Sequence, residues 1–210
     1  MTEALETGHT GQRMIAALPS PLASRAEVPA RAEALDFTSV YREHAAGAFR
    51  AAAAMGVPRA ACDDVVQEAF LIVHRGLHTF EGRSSLKTWI AGIVLNVVRH
   101  YRRSVARRHP HEMDRHAPSV PDDLRAETRD PLEAAEHAEG AALLHTLLGT
   151  LSEERREVLV LAELEELSVP EIADALEIKL NTAYSRLRLA REDFERALSR
   201  HRASEKWRAR

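Results

Sequence analysis

The sequence predicts an all-α protein built as two small helical domains joined by a flexible acidic linker. Three observations carry this. Apolar residues recur three and four apart through most of 37–108 and 132–200, and no segment shows the two-residue alternation of a half-buried strand. The stretch 109–131 breaks that pattern with Pro110, Pro118, Pro121 and Pro131 among acidic residues, which suits a linker and a domain boundary. Helix-start signals follow: Ser152 precedes Glu153 and Glu154, and Ser168-Val169-Pro170-Glu171 is a capping box with Pro near the helix start.

Residues 1–34 carry Pro19, Pro21 and Pro29 without sustained periodicity and read as a disordered N-terminal tail. The first domain spans 35–108. Its first helix, Phe37–Met55, has an imperfect stripe (Phe37, Val40, Tyr41, His44, Phe49) and is stopped by Gly56-Val57-Pro58. The second runs from Arg59 to Leu77 on Val66, Ala69, Phe70, Val73 and Leu77. A polar loop, Thr79–Ser84, then offers Ser84 or Ser85 as an N-cap. The third helix, Ser85–Arg108, has the stripe Leu86, Trp89, Ile90, Ile93, Val97 and Tyr101. Leu95 and Val98 lie on its other side, so part of it is covered on two faces. Beyond the linker, the second domain (132–201) holds helices at Leu132–Leu148, Ser152–Glu166, Val169–Leu176 and Leu180–Arg200. Residues 202–210 read as a basic C-terminal tail.

With 210 residues, 45% of them apolar, the chain suffices for one medium domain or two small ones. Aromatics are only 5%, so the cores must come mainly from Leu, Ala, Val and Ile. Cys62 is the lone cysteine, which excludes an internal disulfide framework and a Cys-cluster zinc site. No apolar run reaches the roughly 18–20 residues of a membrane span, so no membrane insertion is expected. Met14–Ala23 has a faintly signal-like composition, but Pro19 and Pro21 interrupt it and only Arg13 lies near. A soluble, cytoplasmic protein is the expectation.

The net charge of −3 conceals segregation. Gly82–His111 has seven Lys or Arg and no acid, whereas Glu112–Gly140 has nine acids against three Arg. Ser152–Glu177 has nine acids against two Arg, and Ile178–Arg210 has ten basic residues against four acids. Basic blocks of this density suit nucleic acid, because each neutralised phosphate releases counterions; a solvated helix face is the plainer alternative. The acidic blocks call for another partner, or keep the chain off non-specific DNA.

In the second domain a short helix (Pro170–Leu176), a tight turn (Glu177-Ile178-Lys179) and a long basic helix form a helix-turn-helix pattern. Ala173 is small where the next helix must approach. Ala183, Leu187, Ala190, Phe194 and Leu198 face inward at helical spacing. Asn181, Thr182, Ser185, Arg186 and Arg188 are left outward, side chains that reach base edges or phosphates in a major groove. A helical hairpin with a basic surface would show the same pattern.

These residues resemble the bacterial sigma factors, in particular the extracytoplasmic-function (ECF) group. Asp63–Leu71 looks like the region 2 helix that docks on core RNA polymerase. Phe80–Ile90, continuing through Asn96 to Arg102-Arg103, resembles the promoter-melting part of that region. Leu151–Val158 and Leu167–Ala173 resemble region 4, ending in Thr182–Arg191. The resemblance covers about Phe37–Arg108 and Leu132–Leu198, with no room for a region 3. It implies a non-enzymatic protein without metal or cofactor that binds core RNA polymerase and promoter DNA, and is held in check by an anti-sigma factor. Asp64, Gln67 and Glu68 would give polar contacts to polymerase, with Phe70 and Leu71 apolar ones, although Phe70 also suits the core. For the −10 element, Phe80, Gly82, Arg83, Ser84, Ser85 and Asn96 would form the pocket of an extruded base. Arg99, Arg102 and Arg103 would meet the strand's backbone, and Lys87 also belongs to this −10 set. Trp89, on the apolar stripe, belongs to the core. For the −35 element, Asn181, Thr182, Tyr184, Ser185, Arg186, Arg188 and Arg191 would face DNA.

The chain departs from the family's pattern in places. Glu177 stands where a Gly is usual in the turn, and Lys179 where a small capping residue is usual. Asn181 replaces another common Gly and is available to cap the recognition helix. Tyr184 and Leu189 replace basic residues, which leaves the −35 sequence open. An enzyme reading finds little support: His111 and His116 are spaced wrongly for a helical zinc motif, and His74 and His78 lack an evident third ligand. An ordinary helix-turn-helix regulator would not need the Asp63–Phe70 helix followed by Trp89–Asn96. A decoy that binds polymerase without opening promoters is the remaining alternative.

Overall fold

Asp36 opens the first helix. Its carboxylate accepts hydrogen bonds from the Ser39 hydroxyl (2.9 Å) and backbone N–H (3.0 Å), and these bonds hold its carboxyl below the ordinary value. The computed structural model describes residues 36–108 and 131–208, with the backbone alone for 131–138. Among the described residues the regular structure is entirely helical: α1 (Phe37–Ala54), α2 (Arg59–Gly76), a 3-10 turn (Leu77–Thr79), α3 (Leu86–Arg108), α4 (Pro131–Gly149), α5 (Glu153–Glu163), α6 (Val169–Leu176) and α7 (Leu180–Arg208). The expected tail at 1–34 and nearly all of the expected linker at 109–131 lie outside these residues. Pro131, placed in the linker from sequence, instead begins α4, where its missing N–H has no intrahelical partner to lose.

α1 stops at Gly56, whose φ of 92° is open to glycine at little cost, while the Gly56 and Val57 N–H groups donate to Ala53 and Ala52 carbonyls. Ser85 begins α3 as expected, its hydroxyl accepting the Thr88 N–H at 3.1 Å. α3 is buried on two sides, with Ile90, Ile93, Val94, Leu95, Val97 and Val98 each at most 4% exposed. α1 and α2 cover one side and α6 the other.

Three boundaries differ from the sequence reading. α5 ends at Glu163 rather than Glu166, because Glu166 turns left-handed (φ 52°) and lets Leu167 fold back into the core, its N–H on the Leu161 carbonyl at 3.0 Å. α7 continues through Arg208, so residues 202–208 are helix rather than a separate tail; no Gly or Pro interrupts them. Asn181 does not cap α7. The helix starts at Leu180, with the Thr182 and Ala183 N–H groups on the Lys179 carbonyl.

The two helical halves dock on each other. α3 packs against α6, and α1 against α4 and α5, so the buried side chains of both halves form one continuous cluster. The approach is tightest at Gly56, where a Cβ would lie only 2.7 Å from the Arg156 guanidinium; one on Gly92 would make ordinary contact, 3.8 Å from the Ala175 carbonyl oxygen.

Candidate nucleic-acid interface

Three surfaces collect the side chains that the sequence singled out. On α2, Asp64, Gln67 and Leu71 are exposed at helical spacing with Glu68 half-buried between them. Leu71, 51% exposed, is a large apolar group facing outward from a polar stripe. Phe70 is not part of that surface. It is 2% exposed and packs edge-on against Tyr41 (4.9 Å between ring centroids) and Phe37 (6.5 Å), so it is a core residue.

The second surface is the 80–85 loop and the flank of α3. Phe80 is half-buried with its ring 5.2 Å from that of Trp89, and Trp89 itself packs against the core as expected. Gly82 (φ 70°) and Arg83 are exposed, and Arg83 pairs with Glu81 at 2.5 Å. The Ser84 hydroxyl lies 3.4 Å from the Ser85 carbonyl, and Lys87 is half-buried beside a cleft shared by the two halves. Asn96 and Arg103 stand exposed on α3, one helical face apart by seven residues, with Arg99 between them.

Arg99 and Arg102 are already engaged. Arg99 grips Glu157 of α5 with a two-pronged contact, Nε to Oε1 at 3.1 Å and Nη2 to Oε2 at 2.7 Å. Arg102 pairs with Glu153 and lies 3.5 Å from the same Glu157. Nearer the start of α3, the Thr88 and Ser85 hydroxyls reach Glu171 Oε1 at 2.8 and 3.2 Å. The other oxygen of Glu171 accepts the Ser168 hydroxyl and N–H, at 2.7 and 2.9 Å, and these bonds keep its carboxyl below the usual value.

The third surface is the hairpin of α6 and α7. Ala183, Leu187 and Ala190 are buried, with Phe194 half-buried, as their spacing predicts. Asn181, Tyr184, Ser185, Arg188 and Arg191 are exposed, and Thr182 is half-buried. The Ser185 hydroxyl donates to the Asn181 carbonyl at 2.6 Å, so in this form it serves its own helix. Arg186 is half-buried and paired with Glu154 at 3.0 Å, rather than fully outward. Arg188 is held by Glu192 (2.5 Å) and Arg191 by Glu163 (2.8 Å).

Known proteins share this arrangement. Residues 40–108 match the family Sigma-70 region 2, and 141–194 match Sigma-70, region 4. The RNA polymerase sigma-H factor of Pseudomonas aeruginosa is 32% identical over 146 residues, covering 64% of this chain and 72% of the relative. The ECF RNA polymerase sigma-E factor of Escherichia coli K12 is 32% identical over 149 residues, covering 66% and 74%. The chain belongs to the ECF group of the sigma-70 family. It directs RNA polymerase to promoters and is not an enzyme.

Among solved structures, CnrH in complex with the cytosolic domain of CnrY aligns over 78% of this sigma factor and 87% of that chain, with a TM-score of 0.54 and 27% identity. The sigma factor RpoE of Bartonella quintana, in complex with the anti-sigma factor NepR, aligns over 78% and 97% with a TM-score of 0.63; at 20% identity it speaks for the fold alone. None of the described helices of this sigma factor is long and apolar enough to cross a membrane.

The sequence reading missed the acidic partners of α3: Glu153, Glu157 and Glu171. The one signal for them was the alternation of charge blocks. The acidic block at 152–177 meets the basic block at 82–111, and the meeting is specific, since Glu157 is only 3% exposed.

Proposed function

We propose that this sigma factor divides a promoter between two helical faces, with region 2 holding the −10 strand on α3 and region 4 reading the −35 duplex with α7. The observation that carries the reading is the α3 face on which Asn96, Arg99 and Arg103 follow one another at helical spacing, a polar group leading into cations. Asn96 and the rim formed by Gly82, Arg83, Ser84 and Ser85 form the base pocket, and Lys87, Arg99, Arg102 and Arg103 meet the strand's phosphates. On α7, Asn181, Tyr184, Arg188 and Arg191 are the exposed groups that enter the major groove, with Thr182, Ser185 and Arg186 at the edge of that face. Asp64, Gln67, Glu68 and Leu71 on α2 bind core polymerase, which places the protein in the cytoplasm. The apolar groove lined by Leu144, Leu148, Leu159 and Phe194 suits an amphipathic helix from an anti-sigma factor.

Run-off transcription with purified core polymerase and a randomised-promoter library tests the division, since the selected templates reveal both elements. Asn96→Ala is expected to lower transcription from the selected promoter by roughly tenfold while leaving core-polymerase affinity unchanged. Equal loss of both properties overturns the pocket assignment.

A further inference from the structure

Gly47, Ala48 and Ala51 of α1 line one wall of a cleft of about 230 Å³ between α1, α3 and α5. Its floor is apolar and includes Met55, Ile90 and Leu161, all buried. Protein interiors hold few voids larger than a water molecule, so an opening of this size among three packed helices is an exception. Gly47 is a second sign. A glycine inside a helix is disfavoured against alanine, and α1 has no need of one here. A Cβ would meet Glu165 Oε1 at 3.5 Å and Nη2 of Arg50 at 3.9 Å, both ordinary contacts. Packing within the chain does not account for this glycine, whereas a wall kept open does.

The mouth of the cleft is charged. Lys87 of α3 and Arg50 of α1 bring cations to it, and Glu165 of α5 and Glu43 of α1 bring carboxylates. Lys87 and Glu165 are half-buried, and neither has an ion-pair or hydrogen-bond partner among the described residues. A partly desolvated charge is stabilised by a group of opposite sign within hydrogen-bond reach. One opening thus holds an unpaired group of each sign above hydrocarbon.

We propose that this cleft binds a small zwitterion with a branched aliphatic body, an α-amino acid of the size of leucine. Its carboxylate meets Lys87 and Arg50, its ammonium meets Glu165 and Glu43, and its side chain lies on Met55, Ile90 and Leu161. A cavity of about 150 Å³ holds a benzene ring, whereas drug-sized ligands occupy roughly 300–1,000 Å³; 230 Å³ falls between them. Lys87 apart, none of these groups belongs to the surfaces assigned to polymerase or promoter, so the site stands apart from those assignments. Its occupancy gives the sigma factor a small-molecule input that needs no protein partner.

The probe is L-leucine, added to the purified full chain and followed by calorimetric titration and by melting temperature. Saturating L-leucine is expected to raise the melting temperature, because it binds the folded chain alone. Isocaproate, which lacks the ammonium, and isoamylamine, which lacks the carboxylate, are each expected to bind at least about tenfold more weakly, since each forfeits a charged hydrogen bond. Glu165→Gln is expected to weaken L-leucine roughly tenfold and to leave isocaproate unchanged. Gly47→Leu fills the cleft and is expected to abolish binding in a chain that still folds, leucine being a strong helix former. Absence of both heat and melting shift with L-leucine overturns the proposal. So does isocaproate or isoamylamine binding as tightly as L-leucine, because the two charges are then not read together. Binding that survives both Gly47→Leu and Glu165→Gln overturns the placement in this cleft.

Discussion

Glu177 sits at φ 55° in the turn between α6 and α7, a left-handed conformation that costs an L residue about 1–2 kcal/mol. The turn needs it: the Glu177 N–H donates to the Asp174 carbonyl at 3.2 Å and the Ile178 N–H to that of Ala173 at 3.0 Å, closing α6 before α7 can begin. Glycine would adopt this conformation freely, although it would also loosen the unfolded chain by about 0.4–1 kcal/mol. The strain relieved exceeds that entropy term, so Glu177→Gly is expected to raise stability by roughly 0.5–1 kcal/mol. Urea unfolding of the full chain reads this as a higher midpoint at constant slope; a lower midpoint would mean the carboxylate makes a stabilising contact. The departure from the usual turn glycine was visible in the sequence as an anomaly, but the sign of its effect required the dihedral angle.

Helices meet where their surfaces permit, and one close point between α2 and α3 is Gly76 against Trp89. The Trp89 indole lies over Gly76 so closely that a Cβ there would stand 2.9 Å from its Cζ2, and the Phe80 ring lies 5.2 Å from the indole between centroids. Gly76→Ala would gain helix propensity of about 1 kcal/mol, yet it must push an aromatic ring out of a filled site, which costs about 1–3 kcal/mol. Net destabilisation is expected, with a red shift of Trp89 emission measured in a Trp207→Phe background, Trp207 being 79% exposed. Unchanged emission and melting would show that the ring has room to move. At this scale the sequence was most informative. The spacing on α3 indicated its double burial, and the Ser168–Glu171 signal placed α6 at Val169–Leu176. Burial of Phe70 beneath Tyr41 was less legible, because a helical stripe does not say which of its members a neighbouring helix covers. Nor does spacing reveal that Glu171 bonds across to Thr88, eighty-three residues away.

Across the whole molecule, the alternating charge blocks foretold segregation but not that one block folds onto another, since block composition carries no register. The same docked form brings its titratable groups into environments that set the pH range of its stability. His145 is lowered below its ordinary 6.5, by burial first and by the Arg156 charge second, so the folded chain holds it neutral. The unfolded chain takes up that proton as pH falls through about 6.5 and the folded chain does not, so stability declines there. Glu171 is held down chiefly by Ser168, and Asp193 chiefly by Arg155, so their contributions are present above the ordinary carboxylate values and vanish as acid protonates the folded forms. On the alkaline side, burial raises Cys62 from 9.0 to about 11, and the unfolded thiol ionises first, so stability falls again as pH climbs past 9. The expected curve is a dome with a plateau between about pH 6.5 and 9, a shallow acid shoulder and a steeper drop below about 4.5. Melting temperatures across pH 4–10 trace it. His145→Gln should remove the shoulder between pH 6.5 and 5 and leave the alkaline limb, which Cys62→Ala should flatten in turn; a shoulder that survives His145→Gln would assign it to another histidine.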